Sequence, residues 1–219
     1  MCGQQRCKWL AVAVGLAGLL TVAPPLGAIT LFDIGPGADE GPTAVYEYYD
    51  AAHDHYFVTA SPQEIEALES GRIAGWKRSS DGVAFLVYSA PVNARFVPAA
   101  QGVARPVCRF FVPPASHFLS ASEGECDAVA AAHPEFVLET TAAFYAWLPD
   151  PATGQCPALF AKIGGFEFRP VYRLWNGRMD TNHRLTTSRS DRAAMVAQGW
   201  VSEGYGAEGV AMCVPHWYN

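Results

Sequence analysis

Three histidines, His55, His117 and His183, sit in short look-alike stretches that could do chemistry. The stretches are Asp54-His55-Tyr56-Phe57-Val58-Thr59, Ser116-His117-Phe118-Leu119-Ser120-Ala121 and Asn182-His183-Arg184-Leu185-Thr186-Thr187. Neutral imidazole ligates transition metals, and three imidazoles plus a water form a common zinc site. That arrangement would require the three strands to meet around one axis. Metal-bound histidine also needs an orienting partner on its other ring nitrogen, usually a carboxylate. No acidic residue recurs beside all three histidines. The sequence therefore favours structural histidines, hydrogen-bonded at the core edge of each copy, with no metal and no cofactor. His53 forms a His-x-His pair with His55 that the other stretches lack, which marks it as an exposed neighbour.

Other catalytic signatures are missing from the sequence. It contains no Gly-x-Ser-x-Gly nucleophile elbow and no His-Glu-x-x-His helix. Paired carboxylates for glycoside cleavage depend on the fold for their separation, but Glu64 and Glu125 already occupy helix-start positions. No catalytic residue is assigned, and non-catalytic binding is the favoured reading. Tyr49, Phe111 and Trp175 recur at one strand position, beside Glu47, Arg109 and Arg173. Aromatic faces next to charged groups suit sugar rings, so these six form the expected ligand face, with a glycan or cell-envelope polymer as partner. A passive adhesion or scaffold domain, and a weak hydrolase or metal-dependent enzyme using the histidines, are the alternatives.

The elements that position these residues read as three copies of one unit, over 45–88, 107–147 and 171–214. Each opens on an alternating strand: Val45-Tyr46-Glu47-Tyr48-Tyr49, Val107-Cys108-Arg109-Phe110-Phe111 or Val171-Tyr172-Arg173-Leu174-Trp175. Period-two geometry puts Tyr46/Tyr48, Cys108/Phe110 and Tyr172/Leu174 on a core face. The histidine strand follows, and then a serine with an acid three places on: Ser61/Glu64, Ser122/Glu125 and Ser188/Asp191. That spacing predicts a capped helix start, with Pro62 at the first helical position of the first copy. Ile65 and Leu68, Cys126 and Val129, and Met195 are expected to face inward. Each helix leads to Trp76, Phe136 or Trp200 and a closing apolar strand. The fold class is α+β: three pseudo-equivalent repeats of antiparallel hairpin, short helix and second hairpin around one core, since none could bury its apolar face alone.

Residues 1–28 read as an export signal, with Arg6 and Lys8 ahead of the apolar run Trp9 to Ala23 and a cleavage region ending at Ala28. The run is too short for a permanent membrane span. Residues 29–44 read as a linker, and 45–219 as a single domain. The signal removes two of 15 basic residues and none of 21 acids, leaving 13 against 21 and a formal charge of −8. An acidic chain without a basic cluster lacks the footprint nucleic acid requires. Four cysteines remain in an exported chain, which implies two disulfides with three possible connectivities. In the three-copy alignment Cys108 replaces Tyr46 and Cys126 replaces Ile65, where core side chains meet. This suggests Cys108–Cys126, and Cys156–Cys213 by exclusion. The expected location is extracellular, periplasmic or cell-surface; the oligomeric state is not readable.

The segments HFLSASEGEC, VYRLWN, NHRLTTSRSDRAAMVAQGWVSEGYG and VAMCVP resemble a secreted repeat family of unknown function (DUF5648), here in three copies. The resemblance runs over roughly residues 45–215 and implies a secreted accessory or surface module without an established activity. Phe136, where Trp is expected, and Ala121, where Thr is usual, depart from the family pattern.

Overall fold

The computed structural model describes residues 32–34, 41–94, 102–159 and 166–217. The chain divides into Met1–Thr30 and Leu31–Asn219; the first unit, which contains the expected export signal, lies outside the described residues. Strand β1 (Phe32–Ile34) falls inside the stretch read as a linker and pairs antiparallel with β6 (Val92–Ala94).

Three segments share one order of elements. The first runs β2 (Thr43–Asp50), β3 (His55–Thr59), α1 (Pro62–Glu69), β4 (Trp76–Arg78) and β5 (Phe85–Val87). The second runs β7 (Arg105–Pro106), β8 (Cys108–Val112), β9 (Ser116–Ser120), α2 (Glu123–Ala132), β10 (Val137–Thr140) and β11 (Tyr145–Ala146). The third runs β12 (Phe166–Trp175), β13 (His183–Thr186), α3 (Arg189–Ala197), β14 (Val201–Glu203) and β15 (Val210–Trp217). The leading strand takes β3, β9 or β13 along one edge. Its other edge takes two strands in succession: β4 then β5, β10 then β11 through β7, β14 then β15. The expected second hairpin does not form. The strands after each helix return to the leading strand, which satisfies its outer backbone groups instead of pairing with each other.

Local chemistry explains the turns and caps. Asp50 accepts from the Ala52 amide at 2.9 Å in the first turn, and Asp54 takes a φ of 56°, a conformation that acidic and amide side chains tolerate. Ser61, Ser122 and Ser188 cap the three helices by accepting from the amides of Glu64, Glu125 and Asp191. The reciprocal half of the capping box is absent. Thr59, Ser120 and Thr186 hydroxyls instead accept from the N-cap amides of Ser61, Ser122 and Ser188 at 2.9, 3.0 and 3.1 Å, which frees the Glu64 and Glu125 carboxylates to reach elsewhere. Gly75 and Gly199, at φ 94° and 95°, turn the chain from helix into Trp76 and Trp200, a left-handed geometry that favours glycine.

The main core draws from all three segments: Val45, Val107 and Val171 on or just before the leading strands, Val58, Leu119 and Leu185 on the second strands, and Phe85, Phe144 and Met212 beyond. Burying each such side chain stabilises by about 1.5–3 kcal/mol. Leu68 and Met195 are the buried residues of α1 and α3, whereas α2 buries none. The expected inward Cys126 and Val129 are half-buried against Cys108, Phe110 and Phe118. There the Cys108–Cys126 disulfide ties α2 to β8. A further cluster packs Tyr88, Trp147, Phe168 and Tyr172 around Cys213, which is bonded to Cys156. Trp147, fully buried and donating from Nε1 to the Gly102 carbonyl at 3.0 Å, was not singled out by the sequence. Among the described residues no helix is long and apolar enough to cross a membrane.

Candidate functional site

Strand pairing shows which residues are true counterparts. The hydroxyls that close the N-caps align Thr59, Ser120 and Thr186, and counting back aligns Tyr56 with His117 and His183. His55 therefore corresponds to Ser116 and Asn182. The three look-alike stretches are one residue out of step in the first segment, because His55 lies four residues before Thr59 whereas His117 and His183 lie three before Ser120 and Thr186. A shift of one residue moves a side chain to the other face of a strand. The trio of equivalent histidines is thus a pair plus Tyr56. Among the described residues no group of three or more His, Cys, Asp or Glu is placed to hold a metal.

Each strand position has a fixed partner across the joints between segments. Arg109 of β8 binds the Glu64 carboxylate of α1 at 2.9 and 2.5 Å and Glu139 of its own β10 at 2.7 Å. Arg173 of β12 repeats this with Glu125 of α2 at 3.1 and 2.6 Å and Glu203 of β14 at 3.1 Å, and also donates to the Leu119 carbonyl. The guanidinium of Arg109 stacks over Phe57, and that of Arg173 over Phe118. The third joint has the opposite polarity. Glu47 occupies the arginine position, Arg184 occupies the Phe57/Phe118 position, and Arg184 bridges Glu47 (2.9 and 3.1 Å) and Asp191 (3.4 Å) while stacking on Tyr56. Glu47→Arg should set two guanidiniums against each other and destabilise the fold. Adding Arg184→Phe recreates the other joints and should recover part of the loss, a coupling of about 0.5–3 kcal/mol in a urea-denaturation double-mutant cycle. Strictly additive losses would contradict this pairing.

The acids around Arg109 and Arg173 are held ionised. Burial pushes the Glu64 and Glu125 carboxyls up, but Arg109 and Thr59 in one case, and Arg173 and Ser120 in the other, outweigh it and hold both below the ordinary 4.5. Glu139 is lowered first by His117, and Glu203 by His183 and Arg173 against its burial. Because the folded values lie below the unfolded ones, this stabilisation is complete above the ordinary carboxylate range and is lost as pH falls through the lowered values. Denaturation midpoints measured from about pH 6 down to about pH 3 should hold until near the ordinary value and then drop steeply. A flat profile would show that the joints contribute little.

His117 and His183 end these networks. Their Nε2 atoms lie 3.4 Å from Glu139 and 3.3 Å from Glu203, and both Nδ1 atoms are buried without a hydrogen-bond partner. The two rings share a cavity of about 10 Å3 with Tyr56, Phe57, Val58, Leu119, Arg173 and Leu185. His55 lies apart, with Nδ1 3.3 Å from the Ala115 carbonyl and Nε2 3.5 Å from Asp180. Its counterpart Asn182 accepts from the Tyr56 amide and donates to the Tyr56 carbonyl and Ser116 hydroxyl. His53 is exposed and faces Asp50 at 2.7 Å.

The six expected ligand residues divide into two kinds. Glu47, Arg109 and Arg173 are bound into the joints just described. Tyr49, Phe111 and Trp175 are half-buried, each paired across the hairpin with Tyr56, His117 or His183, so each shares that partner's face. Tyr49 donates to Asp54 at 2.9 Å, and Trp175 Nε1 to Thr181 at 3.5 Å. A separate groove of about 570 Å3 runs between α2 and β10, lined by Pro106, Phe110, Asp127, Ala130, Leu138 and Leu148 among others. Leu138 in its wall is 48% exposed. No motif or periodicity marks the groove.

No curated protein and no solved structure matches the chain. A family model described as Domain of unknown function (DUF5648) matches residues 30–147 and 160–212, spanning all three hairpin, helix and strand segments together with Glu64, Arg109, His117, Glu125, Arg173, His183 and Glu203. The chain belongs to the DUF5648 family.

Proposed function

We propose that the chain is an exported, non-catalytic accessory module, three repeats closed around one axis, that holds carbohydrate or cell-envelope polymer on the rim carrying Tyr49, Phe111 and Trp175. The observation that carries this reading is the division among the six residues. The charged three lock the joints, while the three rings stay half-exposed at equivalent positions, offering apolar area beside polar edges. Two disulfides fit a chain matured in an oxidising compartment. Retention on insoluble cell-wall polymer tests the rim. Trp175→Ala should weaken retention about 3- to 10-fold, and Leu138→Asp should leave it unchanged. Unchanged retention in Trp175→Ala would remove the carbohydrate reading. The exposed Leu138 in the wall of a ligand-sized groove favours a second reading, adhesion or scaffolding through an apolar protein segment, for which Leu138→Asp would be the damaging change.

A further inference from the structure

We propose that the groove between α2 and β10 is a docking site for an extended polypeptide segment that carries basic side chains next to apolar ones. The proposal rests on the second reading above, adhesion through this groove, and names the partner; it uses none of Tyr49, Phe111 and Trp175.

The three segments can be compared position by position. Tyr46, Cys108 and Tyr172 are counterparts, since each pairs with the hydroxyl residue that closes its helix cap. In the first segment Arg78 covers the Tyr46 ring at 4.0 Å and is bound to Glu69 of α1. In the third, Arg192 of α3 lies 5.5 Å from the centre of the Tyr172 ring. The second segment has neither cover. Leu138 stands at the Arg78 position, opposite Phe110 as Arg78 is opposite Tyr48. Cys126, four residues past its cap serine, takes the place of Arg192, and Ala130, eight past, takes that of Glu69. A disulfide replaces the ring and smaller side chains replace the arginines and the acid, so a volume of about 570 Å3 stays open. That is the size of a ligand site.

What the groove offers defines its occupant. Its walls include Pro106, Phe110, Leu138 and Leu148, which select apolar side chains. Its charged residues are Glu123 and Asp127 of α2 against Arg105 alone of β7. Both acids are exposed, and two acids against one base leave a net negative charge that favours a basic partner. Strand β10, which supplies Leu138, pairs with β8 alone among the described strands. Its other edge therefore has backbone groups to offer an extended chain.

Fluorescence anisotropy of the chain with three labelled peptides tests the assignment: acetyl-Leu-Arg-Leu-Arg-Leu-amide and the analogues with Gln or Glu in place of Arg. The arginine peptide should bind saturably and at least tenfold more tightly than the glutamate one. Ala130→Leu, which fills the groove without changing charge, should weaken it at least tenfold. Asp127→Asn should weaken the arginine peptide about threefold and leave the glutamine peptide unchanged, and Trp175→Ala should alter neither. Equal binding of the glutamine and arginine peptides, lost in Ala130→Leu, would overturn the basic partner while leaving adhesion through the groove intact. Binding of none of the peptides would overturn both. Arginine-peptide binding that survives Ala130→Leu would place it elsewhere on an acidic surface and overturn the site. Self-association in sedimentation that Ala130→Leu abolishes would make a second copy of the chain the occupant and overturn the proposal as well.

Discussion

Arg173→Met is expected to cost about 3–5 kcal/mol, the largest loss for any single substitution in the joints. The Arg173 side chain is 3% exposed and holds two acids, Glu125 and Glu203, together with the Leu119 carbonyl. Removing the cation leaves two negative charges facing each other in a half-buried site and strands a buried carbonyl. Methionine replaces the apolar stem, so the effect reports charge and hydrogen bonding rather than lost volume. Arg72→Met provides the comparison. Its pair with Glu66 is exposed at 61% and 74%, where an ion pair contributes about 0–1 kcal/mol. Urea denaturation under oxidising conditions measures both. Equal losses in the two variants would mean that the joints are ordinary surface pairs.

Replacing Cys156 and Cys213 with serine should cost about 4 kcal/mol, and the same change at Cys108 and Cys126 about 3 kcal/mol. The ordering follows from loop length, since the bonds join residues 57 and 18 apart in sequence and the longer loop gains more freedom in the unfolded chain. Packing sharpens the difference. Cys213 is fully buried at the centre of β15 beside Trp147 and Tyr172, so its serine also places a hydroxyl among aromatic rings. Cys126 is half-buried on a helix with no buried residue, where serine meets water more readily. Thermal and urea denaturation of the two double variants give the ranking. A larger loss at Cys108 and Cys126 would show that α2 docking outweighs chain entropy.

Much of this architecture was legible because it rests on local chemistry. Serine-to-acid spacing fixed three helix starts, period-two alternation fixed the leading strands, and Cys108 and Cys126 stood in for residues on a strand and a helix that must touch. The error at His55 was also local. One extra residue between His55 and Thr59 keeps the letters of the stretch in view while moving its histidine to the other face, and the pairing of Asp50 with His55 reveals this. The partners of the remaining histidines were illegible for a different reason. Glu139 and Glu203 lie about twenty residues downstream and arrive from a third strand, so no search of neighbouring positions finds them. The roles of Glu47, Arg109 and Arg173 were hidden likewise, since their partners belong to other segments and are chosen by packing rather than by spacing. The groove beside α2 has no periodic signature, being space that the helix leaves open.

The inverted polarity at the joint between Glu47 and Arg184 works as a key. The first two joints present an acid to an arginine in the following segment. The last presents acid and arginine together to an acid, so only the first segment can follow the third. An arginine-bearing second or third segment set against the third would meet Arg184 with a like charge, so the joint carrying Glu47 discriminates where the other two, alike in polarity, do not.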